Sequence, residues 1–196
     1  MRLMDNRKAI MESALNLFYE KGYDAVGVQE IVDCAGVTKP TLYHYFGSKR
    51  GLLETLIQVH YEELEQNIQK AADCEENLPG KLYRVARVFF DNNSSNIRVY
   101  MLMLALFYSG RKNEGYQVVS PFVQRICRMF IRIFENAADE LGNMHGRQRQ
   151  FAISFIGVMD YHLMMLVNDN GDSEEISVPD EQVRGVVQQF MYGIYS

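Results

Sequence analysis

Residues 39–46 concentrate side chains that can donate hydrogen bonds to phosphate oxygens or to the edges of bases. At the angular step of an α-helix, Leu42 and Phe46 fall within roughly 40° of each other, so both are expected to face the core. The outward side then offers a cation, hydroxyls, phenols and an imidazole but no carboxylate, carried by Lys39, Pro40, Thr41, Tyr43, His44 and Tyr45. Such groups can contact DNA without repelling it. The same pattern also allows these residues simply to cover a small helical domain.

Two short helices joined by a tight turn would position this face. The first helix carries an apolar stripe made of Val28, Ile31, Val32 and Ala35. Gly36 follows as a turn residue, and Thr38 can cap the second helix, which has Pro40 in its first turn. A preceding helix that ends at Gly22 completes a helix-turn-helix arrangement, in which the second short helix enters the major groove of DNA.

Apolar residues recur at helical spacing along almost the whole chain, and no run alternates strictly as a half-buried strand does. This periodicity predicts an all-α fold of about nine helices. Ser48 is expected to cap a long fourth helix, and Ser120 followed by Pro121 predicts the start of a later one. Beyond a breaker at residues 77–80, helices are expected at roughly 81–91, 96–108, 121–141, 147–167 and 179–194, with the polar run 92–95 between the first two.

The charge of the chain is unevenly distributed. Its 196 residues have a formal net charge of -5 and a pI near 5.4, which alone argues against a nucleic-acid partner. Residues 1–50 hold 7 Lys and Arg against 6 Asp and Glu, a balance of +1, whereas the remainder holds 13 against 19, a balance of -6. The low pI is therefore an average over two unlike parts, and a DNA-binding head is expected to be weakly basic.

Compartment and catalysis are constrained by what the residue patterns lack. No apolar core of a signal peptide is found in residues 1–12, and the longest apolar run, 99–108, is about half a membrane span. The three cysteines are widely spaced, and His44, His60, His145 and His162 have no metal-ligand spacing. Neither a nucleophile elbow nor a phosphate-binding glycine motif is found. We therefore expect a cytoplasmic protein without enzymatic activity, metal, cofactor or membrane contact.

The N-terminal motifs follow one another in an order typical of a known family. They are Gly22-Tyr23-Asp24-Ala25, Ile31-Val32, Ala35-Gly36-Val37-Thr38-Lys39-Pro40-Thr41-Leu42-Tyr43-His44-Tyr45-Phe46, Ser48-Lys49 and Leu52-Leu53. Over roughly residues 7–57 the sequence closely resembles the DNA-binding domain of TetR/AcrR transcriptional repressors. The resemblance implies a helix-turn-helix domain at residues 1–50 and an effector-binding and dimerisation domain at 51–196.

The resemblance also implies which residues meet DNA. Positions matching Thr38, Lys39, Thr41 and His44 face the groove in the family, and those matching Tyr43 and Tyr45 meet phosphates or base edges. Lys49, at the start of the fourth helix, is expected to contact a phosphate, and Gln29 is a further candidate. The chain departs from the family at Val26 and Gly27, where many relatives have Thr and Ser, and at Gly51, where an acidic residue often completes a capping box.

The remaining two thirds resemble the family only in being helical. Both sides of the penultimate helix are apolar, which is expected of a helix between its own core and a partner subunit, although burial within a monomer is the alternative. The predicted dimer residues are Ile153, Ile156, Met164, Val183, Val187, Phe190, Met191 and Ile194. The residues predicted to line an effector pocket are Phe89, Met103, Phe107, Phe134, Phe155, Met159 and His162, although aromatic stripes are also plain core.

These observations predict a homodimeric repressor that binds a palindromic, double-stranded DNA operator and is released by a small-molecule effector. Two third helices would enter successive major grooves, about one helical turn apart. The alternative is a helical protein that binds a small molecule or a partner and has lost DNA binding.

Overall fold

The computed structural model describes residues 2–138, 146–170 and 176–193, and every regular element in those ranges is a helix. The predicted all-α class is confirmed. The helices are α1 (Arg2–Lys21), α2 (Val28–Ala35), α3 (Lys39–Phe46), α4 (Lys49–Ala72), α5 (Leu78–Ser95), α6 (Ile97–Phe107), α7 (Glu114–Asn136), α8 (Gln148–Asn170) and α9 (Asp180–Tyr192). Residues 139–145, which include His145 and the predicted end of the 121–141 helix, lie outside the described residues, as does Ile194.

The backbone groups into two units, residues 1–61 with 98–122 and residues 62–97 with 123–196, called here the first and second unit. This grouping differs from the predicted boundary at residue 50 because residues 98–122 pack with the N-terminal helices. Arg98 donates a hydrogen bond to the Asn16 side chain, and Asn113 donates one to Asp24. The first unit is therefore larger than a three-helix head.

Helices α1, α2 and α3 pack on one another, and the turn between α2 and α3 depends on glycine. Their inward side chains, all buried, are Ile10, Ala14, Phe18, Ile31, Val32, Leu42 and Phe46. Gly36 has φ 66° and ψ 31°, the left-handed conformation that a residue with a Cβ adopts only at a cost. The helix-turn-helix expected from the sequence is present.

The caps of α3 and α4 differ from each other. The Ser48 hydroxyl accepts a hydrogen bond from the backbone N–H of Gly51 at 2.9 Å, so the predicted cap of α4 is confirmed. Thr38 occupies the N-cap position of α3, but its hydroxyl lies 2.9 Å from the Thr41 hydroxyl and bonds no backbone N–H. The prediction of a side-chain cap at Thr38 was wrong because the Thr41 side chain competes for the same hydroxyl.

Helix α5 is longer than predicted at both ends. The supposed breaker is its first turn: the Asn77 side chain accepts a hydrogen bond from the backbone N–H of Gly80, and Pro79 needs no N–H there. At the other end, the Asn93 amide donates to the Phe89 carbonyl and the Ser94 hydroxyl to the Asp91 carbonyl. Polar side chains that bond back to the preceding turn let the helix continue through residues 92–95.

Helix α7 begins seven residues before the predicted start and runs through Pro121. Its cap is Asn113, whose side-chain oxygen accepts hydrogen bonds from the backbone N–H groups of Gly115 and Tyr116. Val118 and Val119 are buried in the turn before the proline. Burial of these valines offsets the backbone hydrogen bond that Pro121 cannot make, so the Ser-Pro start signal was wrong.

In the second unit, α5 packs on α8 and α9, and α8 packs on α9. Phe155 lies at the centre of an aromatic cluster, with ring centroids 6.1 Å from Phe130, 6.5 Å from Phe134 and 4.8 Å from Phe190. Three of the four rings are buried, whereas Phe190 is half-buried. Phe151 joins the same cluster, with ring centroids 6.3 Å from Phe134 and 6.5 Å from Phe190.

Gly51 generates a prediction about the start of α4. A Cβ at this position would lie 2.1 Å from the carbonyl oxygen of Phe46, so Gly51→Ala must displace backbone. Overpacking of this kind costs about 1–3 kcal/mol, against about 1 kcal/mol gained in helix propensity. The net loss is therefore up to about 2 kcal/mol, and we expect the melting temperature to fall by up to about 8 °C, measured by circular dichroism.

The matched control is Gly185→Ala in α9, where a Cβ would meet nothing within 4 Å. It should leave the melting temperature unchanged or raise it. Equal effects of the two changes would contradict the steric explanation for glycine at position 51.

Candidate nucleic-acid interface

The structure gives α3 the orientation that its sequence predicted. Leu42 and Phe46 are buried, whereas Thr38, Lys39, Tyr43 and His44 are exposed. Thr41 and Tyr45 are partly exposed on the same outward side. Because α3 contains no carboxylate, its outward surface carries only groups that phosphate and base edges accept.

The outward side chains differ in how firmly they are held. The rings of His44 and Tyr45 meet edge to face with centroids 5.4 Å apart, which fixes both at the last turn of α3. Lys39 and Tyr43 have no hydrogen bond or ion pair within the described ranges, and the Tyr43 side chain is 47% exposed. These two side chains are therefore free to reorient toward a ligand, whereas His44 and Tyr45 present a preformed pair.

Lys49 has a structural role that the sequence did not reveal. Its ammonium donates hydrogen bonds to the carbonyl oxygens of Tyr23 and Val26, each at 3.0 Å, and lies 4.2 Å from the centre of the Tyr23 ring. Two of its three N–H groups thus hold the turn between α1 and α2, and one remains for a phosphate. A phosphate contact at Lys49 stays a prediction.

Gln29 also uses part of its hydrogen-bonding capacity within the chain. It is exposed on α2, and its amide donates to the Asp33 carboxylate at 2.7 Å. One amide N–H remains for a phosphate. Gly27, at the N-cap of α2, supplies no side-chain hydrogen bond, so the hydroxyl that many relatives have there is not replaced by another cap.

Tyr23 is the main positioning residue that the sequence pattern did not predict. It is buried and donates a hydrogen bond to Glu114, the first residue of α7, within the first unit. Burial, followed by the bond to Glu114, raises the pKa of the Tyr23 hydroxyl well above its usual range, so the hydroxyl remains a donor at neutral pH. Its signal in the sequence was only a tyrosine directly after the glycine that ends α1.

The positive charge of the interface is small. Lys21 is paired with Glu30, and Arg50 is paired with Glu54 at 2.9 Å. Arg7 on α1 is exposed and lies 5.8 Å from the centre of the Phe46 ring, which adds a cation near the end of α3 that the sequence did not predict. These ion pairs leave few cations that could contact DNA phosphates, which agrees with the expected weakly basic DNA-binding head.

The predicted effector residues fall in both units. Phe134, Phe155 and Met159 are buried in the second unit, where Phe89 packs on Phe90 and His162 is half-buried. Met103 and Phe107 belong to the first unit, where the Tyr61 hydroxyl contacts the Met103 sulfur and Phe107 stacks on Tyr116. The predicted set is therefore divided between the two units, and an effector pocket stays a prediction.

The predicted dimer residues also divide. Ile153 and Met164 are exposed on α8, and Ile156 is partly exposed. Val183 and Val187 are instead buried within the second unit, on a helix that packs against α5 and α8. Phe190 and Met191 are half-buried.

Within the described ranges, no group of three or more potential metal ligands is found. One described helix, α8, is long and apolar enough by composition to cross a membrane, and 22% of its apolar stretch is buried in the chain. A helix with two apolar faces in a soluble protein passes the same test.

The three packed N-terminal helices and the carboxylate-free face of α3 define a DNA-binding regulator of the helix-turn-helix class. Residues 10–56 match the sequence profile of "Bacterial regulatory proteins, tetR family". This N-terminal segment therefore resembles the DNA-binding part of that family, and the relatives and solved structures that align with most of the chain are transcriptional regulators.

Two regulators with related sequences differ in the sign of their named function. The chain is 27% identical over 190 residues to the HTH-type transcriptional activator FasR of Mycolicibacterium smegmatis, an alignment that covers 96% of the chain and 82% of FasR. It is 23% identical over 138 residues to the HTH-type negative transcriptional regulator IcaR of the Staphylococcus aureus biofilm operon icaADBC, covering 70% of the chain and 59% of IcaR.

Solved structures share the fold at low identity. A putative fatty acid metabolism regulator of Clostridium perfringens has a TM-score of 0.79 at 19% identity, covering 96% of this chain and 99% of its own. FadR of Bacillus subtilis in complex with stearoyl-CoA has a TM-score of 0.75 at 20% identity, with coverages of 96% and 99%. The similarity shows that the described helices of this chain share the fold of these two regulators.

The geometry of α3 predicts a specific effect at Lys39. Lys39→Ala removes an exposed cation without disturbing the buried Leu42 and Phe46. Affinity for selected genomic fragments should therefore fall about tenfold, and the slope of log affinity against log salt should become shallower by about one. Fluorescence anisotropy over a series of salt concentrations measures both quantities.

Lys112→Ala, which changes an exposed lysine of the first unit outside α3, is the control. An equal decrease for both variants would show that only total charge matters.

Proposed function

We propose that the protein is a homodimeric repressor in the bacterial cytoplasm and has no enzymatic activity. We further propose that an acyl thioester of coenzyme A releases it from its operator. The observation that carries DNA binding is the exposed face of α3, in which Thr38, Lys39, Thr41, Tyr43, His44 and Tyr45 stand opposite buried Leu42 and Phe46. Gln29 and Lys49 would add phosphate contacts beside it. In a twofold-symmetric dimer, two such faces read a palindromic site.

Repression is proposed because a protein bound across a promoter excludes polymerase without needing a further contact. FasR is named an activator and IcaR a negative regulator, so relatives support either sign. A reporter gene placed behind the bound fragment distinguishes the two.

A dimer through α8 is supported by the distribution of its apolar residues. Ala152, Phe155, Met159 and Leu163 are buried on one side of the helix. The opposite side exposes Ile153, Tyr161, Met164 and Met165, which together form an apolar strip on a 23-residue helix. Exposed apolar strips of this kind mark interaction sites, and a second copy of the same strip would cover it around a twofold axis.

An acyl effector is supported by the interior of the second unit. The Phe155 cluster offers an apolar environment for a hydrocarbon chain, with Phe89 and Met159 buried in the same unit. The Asn93 side chain is fully buried, and its amide oxygen has no hydrogen-bond partner among the described residues. An effector with a donor group, or a water beside it, would satisfy that oxygen. The stearoyl-CoA complex of FadR supports the same class of effector.

A second candidate function is an effector-binding protein without DNA binding. It is favoured by Gly27 at the N-cap of α2, where the side-chain hydroxyl of many relatives is missing. If the protein binds no genomic fragment at any salt concentration but still binds a ligand, that result would favour this candidate over the regulator.

Release by the effector is tested with fragments selected from genomic DNA by the purified protein. Palmitoyl-CoA at micromolar concentration should dissociate the complex, because an effector that prefers the DNA-incompetent state lowers the population that fits DNA. Palmitate alone and coenzyme A alone are the controls, and each should act at least tenfold more weakly. If none of the three changes the anisotropy of bound DNA, the proposed effector class is rejected while the operator result stands.

The dimer is tested by placing a charge in the α8 strip. Met164→Glu would bring two carboxylates together in an apolar interface, so the dimer dissociation constant should rise at least a hundredfold and operator affinity should fall with it. Val59→Glu changes another exposed apolar residue, on α4, and should leave the dimer intact. Sedimentation velocity at micromolar concentration measures the difference. A wild-type monomer under these conditions would overturn the dimer.

A further inference from the structure

A groove in the second unit carries positive charge in the acidic part of the chain. It lies between the second half of α4 and α7, and its volume of about 700 Å³ is in the range of ligand pockets, about 300–1,000 Å³. Four of its lining residues are cations, Lys70, Arg125, Arg128 and Arg132, and one is a carboxylate, Glu65. Residues 51–196 as a whole have a balance of -6, so this groove stands out against its surroundings.

The three arginines share one face of α7. Their spacing of three and four residues keeps them within roughly 60° around the helix, while Ile126, Phe130 and Ile133 on the other side are buried. Arginines four residues apart repel each other by a few tenths of a kcal/mol on an isolated helix. The spacing of these arginines is therefore unfavourable by itself, and a bound anion would offset the repulsion between them.

Among the described residues, a carboxylate pairs with only one of the three arginines. Arg125 is held by Glu65 across the groove at 2.6 Å. Arg128, Arg132 and Lys70 have no ion pair among residues 2–138, 146–170 and 176–193, and the nearby Asp73 accepts a hydrogen bond from Gln69. Elsewhere in the same unit, Arg84, Arg87 and Arg184 are each paired with a carboxylate.

We propose that this groove binds a small molecule bearing phosphate groups through Arg125, Arg128, Arg132 and Lys70. Arginine forks bond two phosphate oxygens at once, and a lysine ammonium adds a point charge. The side chains of Gln66, Gln69 and Met129 on the groove walls offer amide and apolar contacts to the rest of such a molecule. The inference goes beyond the proposed acyl effector, because the groove recognises phosphate whether or not an acyl chain is attached.

Two probes distinguish the source of the phosphate. Coenzyme A is a nucleotide-type phosphate ester, and pyrophosphate is inorganic; isothermal titration measures both with the intact protein. Each is expected to bind, to compete with the other and to weaken as salt rises. Tenfold tighter binding of coenzyme A would assign the groove to a nucleotide-type compound, whereas equal affinities would assign it to inorganic phosphate.

Arg128→Glu tests the residues, because Arg128 is exposed and its change leaves the buried face of α7 untouched. Affinity for both probes should fall at least tenfold, and Arg128→Lys should restore part of it. Arg149→Glu, an exposed arginine of the same unit outside the groove, should change affinity less than twofold. If Arg128→Glu lowers the helical content, Arg132→Ala replaces it as the variant.

Several results would overturn the proposal. One is that neither probe binds the wild-type protein, whatever palmitoyl-CoA does to the operator complex. Another is that the probes bind wild type and Arg128→Glu equally. A third is that Arg128→Glu weakens operator binding while phosphate binding is unchanged, which would assign the groove to DNA. If Arg128→Glu loses phosphate binding but is still released from the operator by palmitoyl-CoA, the proposal is supported. That result would also separate the groove from the effector response.

Discussion

The bonds of Lys49 to the turn between α1 and α2 are the interaction on which the helix-turn-helix depends. This one ammonium bonds two carbonyl oxygens of a turn whose sequence offers no other side-chain cap, since Gly27 stands at the start of α2. It also lies over the ring of Tyr23, whose hydroxyl bonds Glu114. The start of α4, the turn and the start of α7 are thereby joined inside the first unit. The buried Tyr23 and the partly desolvated Lys49 thus hold the turn between α1 and α2, whereas a surface loop without such contacts is mobile.

The sequence predicted the helix-turn-helix because local rules and packing agree there. Gly36 must adopt a left-handed conformation, Leu42 and Phe46 share one face, and Ser48 caps α4; each follows from residue type and spacing. One error lies where a side chain has two possible partners, because Thr38 bonds Thr41 rather than a backbone N–H. The bonds of Lys49 to carbonyls inside the chain were also not predicted, although they leave its phosphate contact a prediction. Such choices depend on distances across helices, which periodicity does not contain.

Helix boundaries failed for a different reason. Local rules predict a break at the polar run 92–95 and a helix start at Pro121. Instead, Asn93 and Ser94 bond carbonyls one turn back, and Pro121 lies inside α7 next to buried valines on its N-terminal side. Tertiary burial therefore outweighed local propensity. Burial also divided the dimer residues, because α9 turns Val183 and Val187 inward while α8 leaves Ile153 and Met164 exposed. Periodicity identified both stripes as apolar, but it could not tell which stripe faces the chain itself.

The distribution of charge links the two units to different ligands. In the first unit, Lys21 and Arg50 are neutralised by neighbours, so α3 gains its selectivity from hydroxyls, rings and one lysine more than from a field of cations. In the second unit, Arg128 and Arg132 of α7 have no ion pair among the described residues, and they concentrate charge in one groove of an acidic part of the chain. Charges beyond about 10 Å are screened, so a small phosphate compound meets only the nearby cations. A DNA duplex spans a wider area and would bring further phosphates close to neighbouring carboxylates, which disfavours DNA at that groove. The negative charge around the groove therefore favours a small phosphate compound over DNA.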